Sequence, residues 1–463
     1  MYEPKIIAFL CTWCSYTGAD LAGTSRFKSP HNLRAIRVPC SGRVSPELVM
    51  KAFDQGADGV LVLGCHIGEC HYDTGNHRAA KRIPLLHGLM EFVGLEPQRL
   101  RLDWVSASEG ERFARLVNEF VDGLRVLGPV KWQVLSGQPS MAGHLPTISR
   151  HQWQPDLRQL KVAETERSER QTAIMEMLRT KSRELLSAGE VSCVIGYEVG
   201  PRGRTRPVFI YDPAEVERLV WNQACTHNLT TYLREKLSGD GKRTVGDMPR
   251  VAVVVKPCDS KSIHVLLAEN RFEREQVHII GVACDGIEEG AGFGKSNGRY
   301  QNRCQTCNER LPVVYDTLVG EAPLIEDVTL LSAPVSRFDA MSVSQRMEFW
   351  LSQFDRCIRC YACRQACPVC DCPTCLYERD DSLWTGMNIE VNEKRAFHLG
   401  RAFHLAGRCV GCDECERVCP MGIPIGLLNR KLAQEIQETF GYRAGLEMAP
   451  SPIATPLIEG AQT

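Results

Sequence analysis

Twenty-two cysteines stand in this 463-residue chain, and eight of them fall into two copies of one spacing. The first copy is Cys357-x2-Cys360-x2-Cys363-x3-Cys367-Pro368, and the second is Cys409-x2-Cys412-x2-Cys415-x3-Cys419-Pro420. Iron binds thiolates, and two-residue gaps let three of them wrap one corner-rich cube. This run ligates [4Fe-4S] clusters, with the fourth cysteine of each run serving the other cluster. The rule assigns Cys357, Cys360, Cys363 and Cys419 to one cluster, and Cys409, Cys412, Cys415 and Cys367 to the other. Structural zinc is the competing chemistry. It closes with four ligands, commonly from two paired knuckles, and needs neither the proline nor a third evenly spaced thiol. The chain is therefore expected to move electrons. Cys370, Cys372 and Cys375 follow the first run, and spacing alone leaves open whether they hold another metal or are spare.

The elements that must position the remaining thiols alternate in type. In the first 130 residues, Lys5–Leu10, Ala35–Val38, Gly59–Leu63 and Leu100–Val105 read as strands. Pro46–Gln55, His77–Phe92 and Glu109–Leu127 have helical spacing. Strands alternating with helices make a parallel sheet with helices on both faces, here a flavodoxin-like, doubly wound α/β domain. Ligands of such sheets bind outside the carboxyl ends of the strands. Cys11 and Cys14 follow the first strand, Cys40 the second, and Cys65 and Cys70 the third, so five thiols should meet at one rim. That suits a four-thiolate [2Fe-2S] cluster with one spare. Buried structural cysteines and zinc are the alternatives. His66 and His71 flank the same loop, but the thiols suffice and loop histidines usually bond to solvent or neighbours.

Residues 131–158 mix Gly, Pro, Ser, Gln and His without period and read as a linker. Val162–Ala188 reads as a charged, solvated helix. Strands at Val191–Ile195, Val208–Tyr211, Val251–Lys256 and Val277–Val282, with a helix at Ala214–Trp221, give a second α/β domain. Cys258 and Cys284 sit at its strand ends, and Cys304-x2-Cys307 completes a set of four suited to a third [4Fe-4S] cluster. Cys193 and Cys225 read as core thiols within a strand and a helix. The spacer between the two runs holds a helix, Glu393–Ala406, and another runs from Ile423-Pro424 to Phe440. The last twenty residues read as a loose tail or a partner contact.

Composition excludes several classes. The chain is 43% apolar and 24% charged with a net charge of −1, so nothing steers it to nucleic acid or an anionic membrane. No apolar run approaches the roughly 20 residues of a membrane span. Cysteines grouped as metal ligands argue for a reducing cytoplasm over a disulfide framework.

The segments Phe9-Leu10-Cys11-Thr12-Trp13-Cys14-Ser15-Tyr16, Gly18-Ala19-Asp20-Leu21-Ala22-Gly23, Val38-Pro39-Cys40-Ser41-Gly42-Arg43-Val44 and Gly56 to His66 resemble the delta subunit of methyl-viologen-reducing hydrogenase. That resemblance spans roughly residues 1–130. It implies one [2Fe-2S] cluster and electron delivery to the flavin- and cluster-bearing subunit of heterodisulfide reductase. Lys256-Pro257-Cys258-Asp259 and Gly281-Val282-Ala283-Cys284-Asp285-Gly286 are similar to the beta subunits of deazaflavin-dependent hydrogenases and formate dehydrogenases. Those relatives bind FAD and several clusters, in complexes of anaerobic metabolism. No G-x-G-x-x-G follows a strand here, and Gly200-Pro201-Arg202-Gly203-Arg204 reads as a surface turn.

The expected organisation is a [2Fe-2S] domain at 1–130, a linker and helix at 131–189 and an α/β iron–sulfur domain at 190–340. A C-terminal α+β ferredoxin-like dicluster domain at 341–440 and a tail at 441–463 complete it. The first domain is expected to fold alone. The expected role is a relay of electrons between a heterodisulfide-reductase-type flavoprotein subunit and a dehydrogenase, hydrogenase or reductase subunit, with no catalytic set of its own. The rival is an FAD-containing oxidoreductase subunit that itself oxidises a hydride donor. A zinc-stapled scaffold is the third class.

Overall fold

Strand β1 (Ile6–Cys11) is apolar on both faces because helices cover both. The structure, a computed structural model, describes residues 2–131, 164–237, 250–288, 300–305, 307–322, 333–379 and 386–454. β1, β2 (Leu33–Val38), β3 (Gly59–Gly64) and β4 (Leu100–Trp104) form a wholly parallel sheet in the order β2-β1-β3-β4, with Ile6 opposite Leu33 and Gly59. Helices α1 (Ser15–Thr24), α2 (Pro46–Asp54), α3 (Gly75–Phe92) and α4 (Gly110–Leu127) connect and flank the strands. Ile6, Ala8, Leu10, Leu61 and Leu63 pack with Phe113, Val117 and Phe120 of α4, while Phe9, Val60 and Val62 pack with Val49, Phe53, Leu86 and Leu89 of α2 and α3. Ser45 caps α2 by accepting the Leu48 N–H, and Pro46 takes its first position.

α1 is an element that periodicity does not announce. It buries Ser15, Gly18 and Ala22 rather than large side chains. Its contacts are backbone approaches: a Cβ on Gly18 would stand 2.8 Å from the Ser106 carbonyl, and one on Gly110 2.8 Å from the Ala22 nitrogen. Small residues packed this closely leave no apolar stripe to read.

After α5 (Glu164–Ser187), β5 (Cys193–Val199) and β6 (Thr205–Ile210) make an antiparallel hairpin turned by Gly200–Arg204. α6 (Thr231–Leu237), β7 (Val251–Val255), α7 (Pro257–Ala268), β8 (Val277–Val282), α8 (Asn302–Gln305) and β9 (Thr317–Val319) follow. The sheet order is β6-β5-β7-β8-β9, parallel apart from the hairpin. The expected helix at Ala214–Trp221 is a 3-10 turn, Pro213–Arg218, and Cys225 lies in a turn, still fully buried. The expected linker at 131–158 falls, apart from residue 131, outside the described residues.

The C-terminal part differs from the α+β expectation. Residues 333–379 and 386–454 contain no strand, only an isolated bridge between Ala444 and Glu447. Their elements are α9 (Ala333–Asp339), α10 (Val343–Arg356), α11 (Ala362–Gln365), α12 (Val391–His404), α13 (Glu414–Arg417) and α14 (Ile425–Phe440). These helices pack Tyr377, Phe397, Ile423 and Ile425 among themselves around the cysteines, but their other apolar faces join the first domain. Phe338, Trp350, Phe354, Phe403, Leu428 and Leu432 share one apolar cluster with Phe53, Leu89, Met90 and Phe92 of the first domain. The Phe92 and Phe338 rings lie 4.6 Å apart. Burying each such side chain contributes about 1.5–3 kcal/mol, so the outer faces of α2 and α3 are core here. Polar pairs cross the contact: Lys51 to Glu393 at 2.8 Å, His404 Nε2 to Glu47 Oε1 at 2.6 Å, and the ion pair Asp54 to Arg395, with both side chains 1% exposed. The start of the tail is likewise packed rather than loose. Ile453 joins the shared cluster, and Lys81 Nζ donates to the Pro452 carbonyl at 2.6 Å. No helix among the described residues is long and apolar enough to cross a membrane.

Candidate metal centres

The two cysteine runs take the same local shape. In the first, Arg359 and Tyr361 adopt positive φ (50° and 58°); in the second, Gly411 and Asp413 do (71° and 52°). A left-handed residue two places after the first cysteine turns the chain back on itself and aims a backbone N–H at the sulfur. The Arg359 N–H donates to Cys357 Sγ at 3.3 Å. Left-handed geometry is strained for a non-glycine residue. Arg359 is held there by its side chain, whose guanidinium donates to the carbonyls of Gly386, Asn388 and Tyr377. The short helices α11 and α13 then start after Tyr361 and Asp413 and carry the third thiols, Cys363 and Cys415.

The fold brings each run's fourth cysteine to the other run. Cys357, Cys360, Cys363 and Cys419 line one cavity, and Cys367, Cys409, Cys412 and Cys415 line another. N–H donors reach the sulfurs here too, from Ile423 to Cys419 at 3.5 Å and from the Asn429 amide to Cys415 at 3.8 Å. Burial pushes the Cys363 and Cys409 thiols up to about 11. Four sulfurs to a cavity, with N–H donors aimed at Cys357, Cys415 and Cys419, fit an iron–sulfur centre, whose iron takes thiolates and whose sulfurs accept such bonds. Of the extra cysteines, Cys370 and Cys375 lie near this region, Cys375 buried against Cys357 and Cys363, while Cys372 is exposed.

Cys258, Cys284, Cys304 and Cys307 line a third cavity of ≈ 220 Å³. Cys258 enters through the first turn of α7, whose N-terminus follows β7 directly with Pro257 at its first position. Cys284 follows β8, and α8 carries Cys304. The Gly286 N–H donates to Cys284 Sγ at 3.4 Å, and the Ile287 N–H to Cys304 Sγ at 3.3 Å. Burial pushes Cys258 well up and Cys284 up to about 12. Sequence reasoning missed two cations beside them, Lys256 and Arg303, which oppose that rise at Cys258. Lys256 is fully buried and bonded to Asp259 at 2.8 Å, to the His227 carbonyl at 2.6 Å and to the Tyr197 hydroxyl. Arg303 reaches from this cavity to the Cys412 carbonyl and to Glu414 at 3.5 Å. A lysine one position before a Pro-Cys pair was the available signal. Cys409, Val410 and Gly411 line the same cavity as the third set.

At the first sheet's carboxyl rim all five thiols are buried. They divide into three and two. The sulfurs of Cys11, Cys14 and Cys65 lie within 4.8 Å of one another, and Cys40 Sγ is 3.6 Å from Cys70 Sγ. Hydrogen bonds from the thiols of Cys14 and Cys65 lower Cys11, and Cys14 is raised in return. Gly75 lets the pair pack against the start of α3: a Cβ there would collide with Cys40 Sγ and stand 3.1 Å from Cys70 Sγ. Five sulfur donors converging on one rim fit a thiolate-held metal. The two histidines are engaged elsewhere. His66 Nε2 meets Glu109 Oε2 at 2.7 Å, and His71 stacks on Trp13 at 3.7 Å. Trp13 is 50% exposed, with its Nε1 3.4 Å from the Tyr72 hydroxyl, itself 50% exposed.

Known proteins match both ends of the chain. Residues 6–128 match the family described as methyl-viologen-reducing hydrogenase, delta subunit, and residues 353–423 match the 4Fe-4S dicluster domain. Over 132 residues, 28% of this chain and 96% of the relative, the chain is 49% identical to an iron-sulfur subunit of the F420-non-reducing hydrogenase of Archaeoglobus profundus. Over 127 residues it is 54% identical to one subunit of the ferredoxin/F(420)H(2)-dependent CoB-CoM heterodisulfide reductase of Methanosarcina acetivorans. Over the same length it is 52% identical to one subunit of the ferredoxin:CoB-CoM heterodisulfide reductase of Methanosarcina mazei. Those stretches are 27% of this chain and 16% of each relative. With 49% identity over 132 residues that span 96% of the Archaeoglobus hydrogenase subunit, this chain belongs to the methyl-viologen-reducing hydrogenase delta subunit family, extended here by a 4Fe-4S dicluster domain.

Proposed function

We propose that the chain is a multi-cluster iron–sulfur relay subunit. It carries electrons between a heterodisulfide-reductase-type flavoprotein subunit and a dehydrogenase, hydrogenase or reductase subunit of a larger complex. In this reading Cys357, Cys360, Cys363 and Cys419 hold one [4Fe-4S] cluster, and Cys367, Cys409, Cys412 and Cys415 hold a second. Cys258, Cys284, Cys304 and Cys307 hold a third, and four of Cys11, Cys14, Cys40, Cys65 and Cys70 hold a [2Fe-2S] cluster in a flavodoxin-like first domain. Bound clusters supply one-electron carriers whose potentials the protein sets.

The observation that carries the reading is the cavity shared by the third cysteine set and Cys409. Two candidate centres that line one space, with Arg303 between them, make a path rather than isolated staples. The first domain joins the same body through the core of α2, α3, α12 and α14. The N-terminal rim is the proposed dock for the flavoprotein subunit. In the Methanosarcina relatives the matching stretch lies within a heterodisulfide reductase polypeptide itself.

The test is iron, acid-labile sulfide, zinc and flavin content of the full chain purified without oxygen, with EPR of the reduced protein. Iron and sulfide for three [4Fe-4S] centres and one [2Fe-2S] centre, without flavin, support the relay. A colourless zinc protein refutes it. One acid-releasable flavin per chain would instead favour the FAD-containing hydride oxidase.

A further inference from the structure

Helix α12 lies in the spacer between the two cysteine runs and buries two polar side chains that the fold itself does not satisfy. His398 is 2% exposed, and neither ring nitrogen has a hydrogen-bond partner among the described residues. Its ring stacks on Phe354, with centroids 5.4 Å apart and planes at 17°, and meets Phe397 edge-on at 5.1 Å. It lines the same cavity as Cys357, Cys360, Cys363 and Cys419. Arg401 stands one turn further on and is 3% exposed. Its Nη2 donates to the Cys363 carbonyl at 2.9 Å, while Nε and Nη1 have no partner among the described residues.

Buried N–H groups are almost always paired, and an orphan is costly. Here the orphans share one helix face, three residues apart, and that face meets sulfur. We propose that α12 is the tuning element of the centre held by Cys357, Cys360, Cys363 and Cys419: His398, and Arg401 beside it, donate to the sulfurs of that centre. The inference rests on the ligand sets proposed above. Its physics is simple. Reduction adds one negative charge to a cluster, so N–H donors and a fixed cation favour the reduced form and raise the potential. Neither residue belongs to a cysteine motif, and the long spacer between the runs exists, in this account, to carry them.

The test uses the full chain, purified without oxygen, in EPR-monitored redox titrations with iron and sulfide counted in every sample. Arg401→Gln is expected to lower the midpoint of the centre held by Cys357, Cys360, Cys363 and Cys419 with its iron retained. His398→Phe keeps the stacking on Phe354, removes the N–H, and is expected to lower the same midpoint. The expected size is at least a tenfold fall in the reduced-to-oxidised ratio at fixed poise, 59 mV for a one-electron couple. Unchanged midpoints with full iron content overturn the proposal. If Arg401→Gln cannot hold iron, His398→Phe decides alone, and an unmoved midpoint in it is equally fatal. Unaltered protein without two cubane signals would sink the ligand assignment itself, a failure seen in the iron and sulfide counts before any titration.

Discussion

Asp54 and Arg395 form an ion pair with both side chains 1% exposed, between α2 of the first domain and α12 of the cluster-bearing part. Asp54→Ala removes the carboxylate and leaves the guanidinium buried, with Asn392 Oδ1 at 3.0 Å as a neutral acceptor. Burial already disfavours the Arg395 charge, and Asp54 is the group that offsets this. Removing one partner of a buried pair costs about 3–5 kcal/mol. At about 1.4 kcal/mol per decade, the contact between the two parts should open roughly 10²- to 10³-fold more often. Hydrogen exchange of the full chain reads this directly, because protection reports local opening. Amides of Pro46–Asp54 and Val391–His404 should lose that much protection, while β7 and β8 keep theirs. Adding Arg395→Met should restore most of it, since replacing a buried pair by apolar groups is often neutral. Unchanged protection in Asp54→Ala would refute the reasoning, as would a double variant as labile as the single one.

Four further outcomes are expected. Cys419→Ala should damage the centre of Cys357, Cys360 and Cys363; iron loss confined to that of Cys409, Cys412 and Cys415 would show the assignment uncrossed. Gly75→Ala should displace Cys40 and bleach the N-terminal centre alone, and an intact [2Fe-2S] signal would remove the Cys40–Cys70 pair from the site. Trp13→Ala should weaken assembly with a flavoprotein subunit by about 2 kcal/mol or more, as hot-spot aromatics do, with cluster content unchanged; unaltered affinity with a shifted cluster spectrum would make Trp13 a shield. A fragment of residues 1–131 should self-associate, because it uncovers Phe92, whose ring meets Phe338 and Trp350 in the full chain; a monomeric fragment in size-exclusion chromatography would show that this face tolerates water.

What could be read without the structure is what depends on neighbours along the chain. Cys357 to Cys363 and Cys409 to Cys415 are local spacings, and a two-residue gap imposes its turn wherever it falls, so the cluster chemistry stood in the sequence. The strands around Val60 and Val253 were legible for the same reason: a buried parallel strand must be apolar at nearly every position. The exceptions are instructive. α1 was silent because Gly18 and Ala22 pack by backbone approach rather than by an apolar stripe.

The tertiary structure decided what depends on distant partners. It set Cys419 among the thiols of the first run and Cys258 and Cys284 beside Cys304 and Cys307, and it divided the N-terminal thiols into three and two. It also turned an expected independent domain into half of a shared core. The apolar outer face of α3 looks the same in sequence whether water, a partner or this chain's own α14 covers it. His398 and Arg401 belong to this second group. A histidine and an arginine in a helix are ordinary until the fold buries them among cysteines, because the cost of an unpaired donor arises only where water is excluded.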